Sequence, residues 1–167
     1  MITVKTISLS IDEKAELEKA LRKFAAKRDS NFDFLSSEVP LVNNKFLLGY
    51  EGNSYVHFTR PRTFIDRYLP KLIINIPRNP TDLFYKIRFS NTCTGVLIFL
   101  AILVVIGIIS VSAGEGTIEA LLYPPGFICL FALGTLLEYK LSNLKIQKAI
   151  SKYRLLKHEP NESRTNF

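Results

Sequence analysis

Residues able to do chemistry are sparse in this chain of 167 residues. It has two histidines, His57 and His158, and two cysteines, Cys93 and Cys129. No Cys-x-x-Cys and no His-x-x-x-His spacing occurs, so the ligand sets of zinc sites are missing and no metal is expected. A glycine-rich Gly-x-Gly-x-x-Gly turn, a P-loop and a Gly-x-Ser-x-Gly elbow are likewise absent. Ser54, His57 and Asp66 supply the residue types of a hydrolytic triad, but no local signature accompanies them. No catalytic activity and no cofactor are expected.

The polar cluster with the clearest chemistry is basic. His57-Phe58-Thr59-Arg60-Pro61-Arg62 is followed by Arg67 and Lys71. Arginines at the end of a strand can grip a carboxylate or phosphate through two parallel N–H donors. Arg60, Arg62, Arg67 and Lys71 are therefore the candidate anion- or partner-binding residues. The bland alternative is a basic rim facing anionic lipid. Lys86 and Arg88, and further on Lys140, Lys145, Lys148 and Lys152, are the candidate lipid-headgroup contacts.

The reason for invoking lipid lies in how charge is distributed. Mean hydropathy is +0.14 and the formal charge +7, but neither average describes the chain. Residues 1–90 carry 15 Lys+Arg against 10 Asp+Glu, and residues 139–167 carry 7 against 2. Between Asn91 and Tyr139 the only charges are Glu115, Glu119 and Glu138. Within that stretch residues 94–112 form a run of 19 without a charge, long enough as a helix to cross a hydrocarbon core of about 30 Å. A second apolar stretch, 118–137, is interrupted by Pro124-Pro125-Gly126. Proline is excluded from helix interiors but tolerated in the first turn, so this span is expected either to kink there or to start there. The connector 113–117 has no basic residue, whereas lysines and arginines flank both spans on the other side. The positive-inside rule then puts both termini in the cytoplasm. Cys93 and Cys129 are expected as small apolar fillers at different depths, unpaired.

Residues 1–90 read as a folded α+β domain. Positions 1–9 are rich in β-branched residues and read as a strand. Ser10-Ile11-Asp12-Glu13 has capping-box form, and Leu17, Ala20, Leu21, Phe24 and Ala25 follow at helical spacing, predicting a helix over 11–28. Residues 30–44 are polar and punctuated, with Phe32, Phe34, Leu35 and Val39-Pro40-Leu41 as possible anchors. Alternation over 45–51 and 54–60 around Gly52-Asn53 predicts a hairpin, and 69–76 and 83–89 two more strands. The expected order is β-α-β-β-β-β, a mainly antiparallel sheet with one helix, then a two-helix transmembrane hairpin over 91–139, then a basic amphipathic helix and tail over 140–167. On that last helix Leu144, Ala149, Ile150, Tyr153 and Leu156 can share a side, for docking on the domain or lying on the leaflet.

The function these features suggest is a membrane-anchored binding or regulatory module that engages a protein partner, such as an inhibitor, an immunity protein or an assembly factor. The competing expectation is an oligomerising membrane effector gated through its soluble domain. Partners would be an anionic inner leaflet and a protein or a second copy, with no role for nucleic acid. The bacterial plasma membrane is the expected location.

Overall fold

A computed structural model describes residues 2–29, 31–33, 44–63, 66–114 and 123–158. The anchors expected at Phe34, Leu35 and 39–41, the connector from 115, the start of the second span at 118–122 and the tail beyond 158 lie outside them.

Among the described residues six strands form one sheet in the order β1-β6-β5-β4-β3-β2. They are β1 Thr3–Ser8, β2 Ala25–Arg28, β3 Leu47–Glu51, β4 Tyr55–Thr59, β5 Leu72–Pro77 and β6 Phe84–Phe89. All neighbours are antiparallel except β2 and β3, which run parallel. Helix α1, Ile11–Phe24, carries the chain from one edge of the sheet to the other. Its start is the capping box read from the sequence: the Glu13 amide donates to Ser10 Oγ at 3.3 Å and the Ser10 amide to Glu13 Oε2 at 2.8 Å.

The helix stops four residues earlier than its composition predicts. Ala25-Ala26-Lys27-Arg28 are good helix formers, yet they make β2, in register with Leu47 to Tyr50. Local propensity is worth only a few tenths of a kcal/mol per residue here. Pairing satisfies the open edge of β3, and Ala25 gains a buried place beside Gly49, where a Cβ would meet Ala25 Cβ at 3.2 Å. Tertiary pairing wins, and the sheet has six strands rather than five.

The sheet has an apolar face and a mixed one. On the first, Leu47, Val56, Phe58, Leu72, Ile74, Ile76, Tyr85 and Ile87 are buried against Leu17, Ala20, Leu21 and Phe24 of α1. On the other, Leu48 and Ile73 pack with Phe32, beside His57, Asn75 and Arg88.

Two long helices follow among the described residues. Helix α2, Asn91–Ser112, follows β6 after Ser90 alone, whose hydroxyl accepts from the Cys93 amide at 3.3 Å as N-cap. It ends with Gly114 at φ +76°, the left-handed conformation in which glycine closes a helix without strain. No residue of α2 is buried. Helix α3, Tyr123–His158, has Pro124 and Pro125 in its first turn, where a missing N–H costs nothing. At 36 residues it extends about 54 Å. Both helices are long and apolar enough to cross a membrane.

The apolar half of α3 and the basic helix expected after it are one element. Phe127, Leu130, Leu133 and Leu136 are exposed, whereas Glu138, Ser142, Ile146 and Ala149 are buried. These four repeat at helical spacing and face α1 and the sheet, joined by Ile150 and Tyr153. Leu144 and Leu156, expected on this stripe, are exposed at 56% and 45%. Arg154 adds a bidentate pair with Glu16 of α1 at 2.7 and 2.8 Å, solvated and of small energetic consequence.

Candidate functional site

Among the described residues, the end of the sheet that meets α2 and α3 gathers the buried arginine–carboxylate pairs of the domain. Strand β4 finishes at Thr59, whose hydroxyl donates to the Leu72 carbonyl at 2.9 Å, and Pro61 then prevents a further ladder bond. Arg60 is thereby turned toward α3. Its Nη2 donates to Glu138 Oε2 at 2.7 Å and its Nη1 to Asp66 Oδ2 at 2.5 Å. The side chains of Arg60 and Glu138 are 7% and 1% exposed. The expected anion grip is real in its chemistry, but the anions are the chain's own carboxylates.

Glu138, just past the second apolar stretch, is a charged residue that the fold buries almost completely. A carboxylate isolated at the end of an apolar run is itself a sequence signal for a buried partner. Hydrogen bonding to Arg60 holds the Asp66 carboxyl below its usual range, with burial opposing.

A second buried pair lies on the mixed face of the sheet. Arg88 Nη1 and Nη2 donate to the two oxygens of Asp33 at 2.7 and 3.0 Å, and both side chains are almost wholly buried. Arg88 was expected at a lipid headgroup; its alternation along β6 instead points it at this carboxylate. Asp33 also accepts from the Asn91 amide at 3.1 Å, and its carbonyl from the Thr92 hydroxyl at 2.8 Å. A carboxylate thus sits at the N-terminus of α2, where the helix dipole favours it. Burial pushes this carboxyl up, but Arg88 and the Asn91 amide outweigh it, and the net pKa is lowered.

Arg62 and Lys71 stand near these pairs. Arg62 is half-buried, with burial pushing its guanidinium down and Glu138 the largest opposing influence. Lys71 is buried, its Nζ 5.6 Å from the centre of the Phe32 ring, while its amide donates to Cys93 Sγ at 3.0 Å. Burial, then the charge of Arg62, lowers its ammonium from 10.5 to about 8. Below that pH the folded state holds a charge that its surroundings disfavour. Between pH 8 and 10.5 the unfolded chain binds the proton that the folded chain has lost, so the Lys71 contribution to stability rises with pH. Thermal unfolding in detergent should show that rise in the parent, and Lys71→Met should flatten it across this window. Arg67 falls in the 3-10 turn Asp66–Tyr68.

The remaining basic candidates are more dispersed. Lys86 is half-buried on the mixed face, 4.8 Å from the Phe84 ring, and Lys140 is exposed just beyond Glu138. Lys145, Lys148 and Lys152 bring Nζ within 5.7, 5.4 and 5.8 Å of one ring, that of Phe46. Lys45 and Lys23 adjoin them, with Lys45 Nζ donating to the Lys23 carbonyl. Neither Phe46 nor its place under three lysines was legible in the sequence.

His57 Nδ1 donates to Asn75 Oδ1 at 2.8 Å, and the ring stacks on Tyr50 at 5.7 Å. Burial lowers its pKa, with Asn75 opposing. Cys93 is half-buried and Cys129 exposed, both free thiols. Among the described residues no three His, Cys, Asp or Glu side chains are grouped to hold a metal.

The arrangement is therefore one of attachment: one buried arginine–carboxylate pair fastens the sheet to the first turn of α2 and another fastens it to the middle of α3. Comparisons with protein-family models, curated proteins and solved structures find no match.

Proposed function

We propose that this protein is a membrane-anchored binding module. In this reading α2 and α3 cross a bacterial plasma membrane as a hairpin, both termini are cytoplasmic, and the α+β domain meets a protein partner at the membrane surface. One observation supports it above all. Helix α3 passes without a break from exposed apolar residues to a stripe buried in the domain, with Glu138 at the change. A domain held so rigidly presents a fixed surface to whatever approaches.

The surface best suited to a partner is the lysine cluster around Phe46. Lys148 and Lys152 lie about 15 and 21 Å beyond Glu138 along the helix axis. The headgroup zone is only about 5–8 Å deep on each side, so with α3 near the bilayer normal these lysines stand clear of it. An acidic protein surface fits them, and cation–π contact with Phe46 keeps them gathered.

Crosslinking in native membranes, with affinity purification and mass spectrometry, tests this. The expected result is a near-stoichiometric second protein, lost when Lys145, Lys148 and Lys152 are changed together to glutamate. Recovery of only self-crosslinked oligomers that conduct ions in planar bilayers would replace this reading with that of a membrane effector.

A further inference from the structure

Between β4 and β5 the chain makes a short excursion that leaves the sheet and reaches the apolar half of α3. The 3-10 turn Asp66–Tyr68 leads into Leu69 and Pro70, and this tip lies against Gly134 of α3. A Cβ at Gly134 would stand 3.0 Å from Pro70 Cδ and 3.7 Å from Leu69 Cδ2, so the glycine is what lets the turn approach. Gly134 lies one turn before Glu138, on the apolar side of the buried Arg60–Glu138 pair, by about 6 Å. Its neighbours Leu130, Leu133 and Leu137 on α3 and Val96 on α2 are all exposed.

The turn has the composition of a membrane interface, with Tyr68, Leu69 and Pro70 for the apolar side and Arg67 of the residue type that reaches headgroups. Tyr68, at its tip, is 79% exposed. In water a tyrosine and a leucine beside a band of exposed leucines would enlarge an apolar patch, whereas at a membrane interface tyrosine is a favoured residue. Two of its amides are paired internally: the Asp66 amide donates to the Thr63 carbonyl and the Leu69 amide to the Asp66 carbonyl, both at 3.1 Å, which lowers the cost of placing them near lipid. The carboxylate of Asp66 is held by Arg60. Beneath the tip, Val96 and Leu100 of α2 and Phe127 and Phe131 of α3 line a groove of about 280 Å³ that opens onto the same exposed band.

We infer that the Asp66–Pro70 turn is a third membrane contact: it dips into the leaflet next to the domain. This rests on α2 and α3 spanning the bilayer. It gives the soluble domain a footing in the lipid besides the helices, and it continues the apolar band of the spans onto the domain.

The chain contains no tryptophan, so a single introduced indole reports one position. Three full-length variants, Tyr68→Trp, Val96→Trp and Tyr55→Trp, would be reconstituted in phosphatidylcholine–phosphatidylglycerol vesicles, with and without phosphatidylcholine brominated at carbons 6 and 7. Position 96 reports the span, and position 55 the end of β4 away from it. The inference expects position 68 to be quenched by bromine as position 96 is, with blue-shifted emission and protection from aqueous iodide. Iodide quenching at 68 like that at 55, with bromine quenching kept at 96, would overturn the inference and leave the spans intact. Loss of bromine quenching at 96 as well would show the spanning helices themselves to be misassigned, and the inference would fall with them.

Discussion

Glu138→Ala is expected to lower the unfolding free energy by about 3–5 kcal/mol, the usual cost of stranding one member of a buried ion pair. The change leaves Arg60 buried with only Asp66 to hold it, at the point where the sheet meets α3. Replacing both partners by residues that fill the same space, Arg60→Met with Glu138→Met, should recover most of that loss, because desolvating two charges offsets much of their attraction. Urea or thermal unfolding in detergent reads the difference. A Glu138→Ala protein as stable as the parent would mean that the carboxylate is solvated and that α3 is not fastened there.

The second large effect is expected at Asp33. Asp33→Ala removes both carboxylate acceptors of Arg88 and the acceptor of the Asn91 amide, leaving a guanidinium that is 3% exposed with the Phe89 carbonyl in place of its counter-charge. A loss of about 3–5 kcal/mol is again expected, with fraying at the start of α2. The pH dependence has a definite sign. The folded pKa lies below the ordinary 3.8, so in the window between them the unfolded chain binds the proton first. The Asp33 contribution is fully present above that window and is lost as pH falls through the folded pKa. The stability gap between parent and Asp33→Ala should therefore be full above that window and narrow as pH falls through it, and at neutral pH the first-turn amides of α2 should exchange faster with deuterium in the variant. Unchanged exchange at Asn91 and Thr92 would show that α2 is not pinned by Asp33.

These two residues mark where the sequence stops being readable. Alternation over 54–60 and 83–89 assigns Val56, Phe58, Tyr85, Ile87 and Phe89 to the core side, as found, because strand periodicity is local. The capping box at Ser10 is legible for the same reason. Partners far apart in the chain are not: Arg60 and Glu138 are 78 residues apart, and Arg88 and Asp33 are 55 apart. Arg60 stood out as a carboxylate grip, and only the fold shows that the carboxylate is internal. Residues 25–28 look helical because their propensity is helical, and they form a strand because β3 needed a neighbour. On α3 the docking stripe was misjudged since two of its members, Glu138 and Ser142, are polar and so invisible to an apolar pattern.

The domain and the apolar helices form one body, with α3 continuous from its apolar half into the core. Double electron–electron resonance in lipid nanodiscs tests it most directly, using spin labels at Leu130 and Leu156, both exposed on α3, with Cys93 and Cys129 replaced by serine. A continuous helix predicts a single narrow distribution near 39 Å at 1.5 Å per residue, allowing for label length. A broad distribution centred well short of that would mean that α3 breaks at the membrane surface and its basic half lies on the leaflet, contradicting the account.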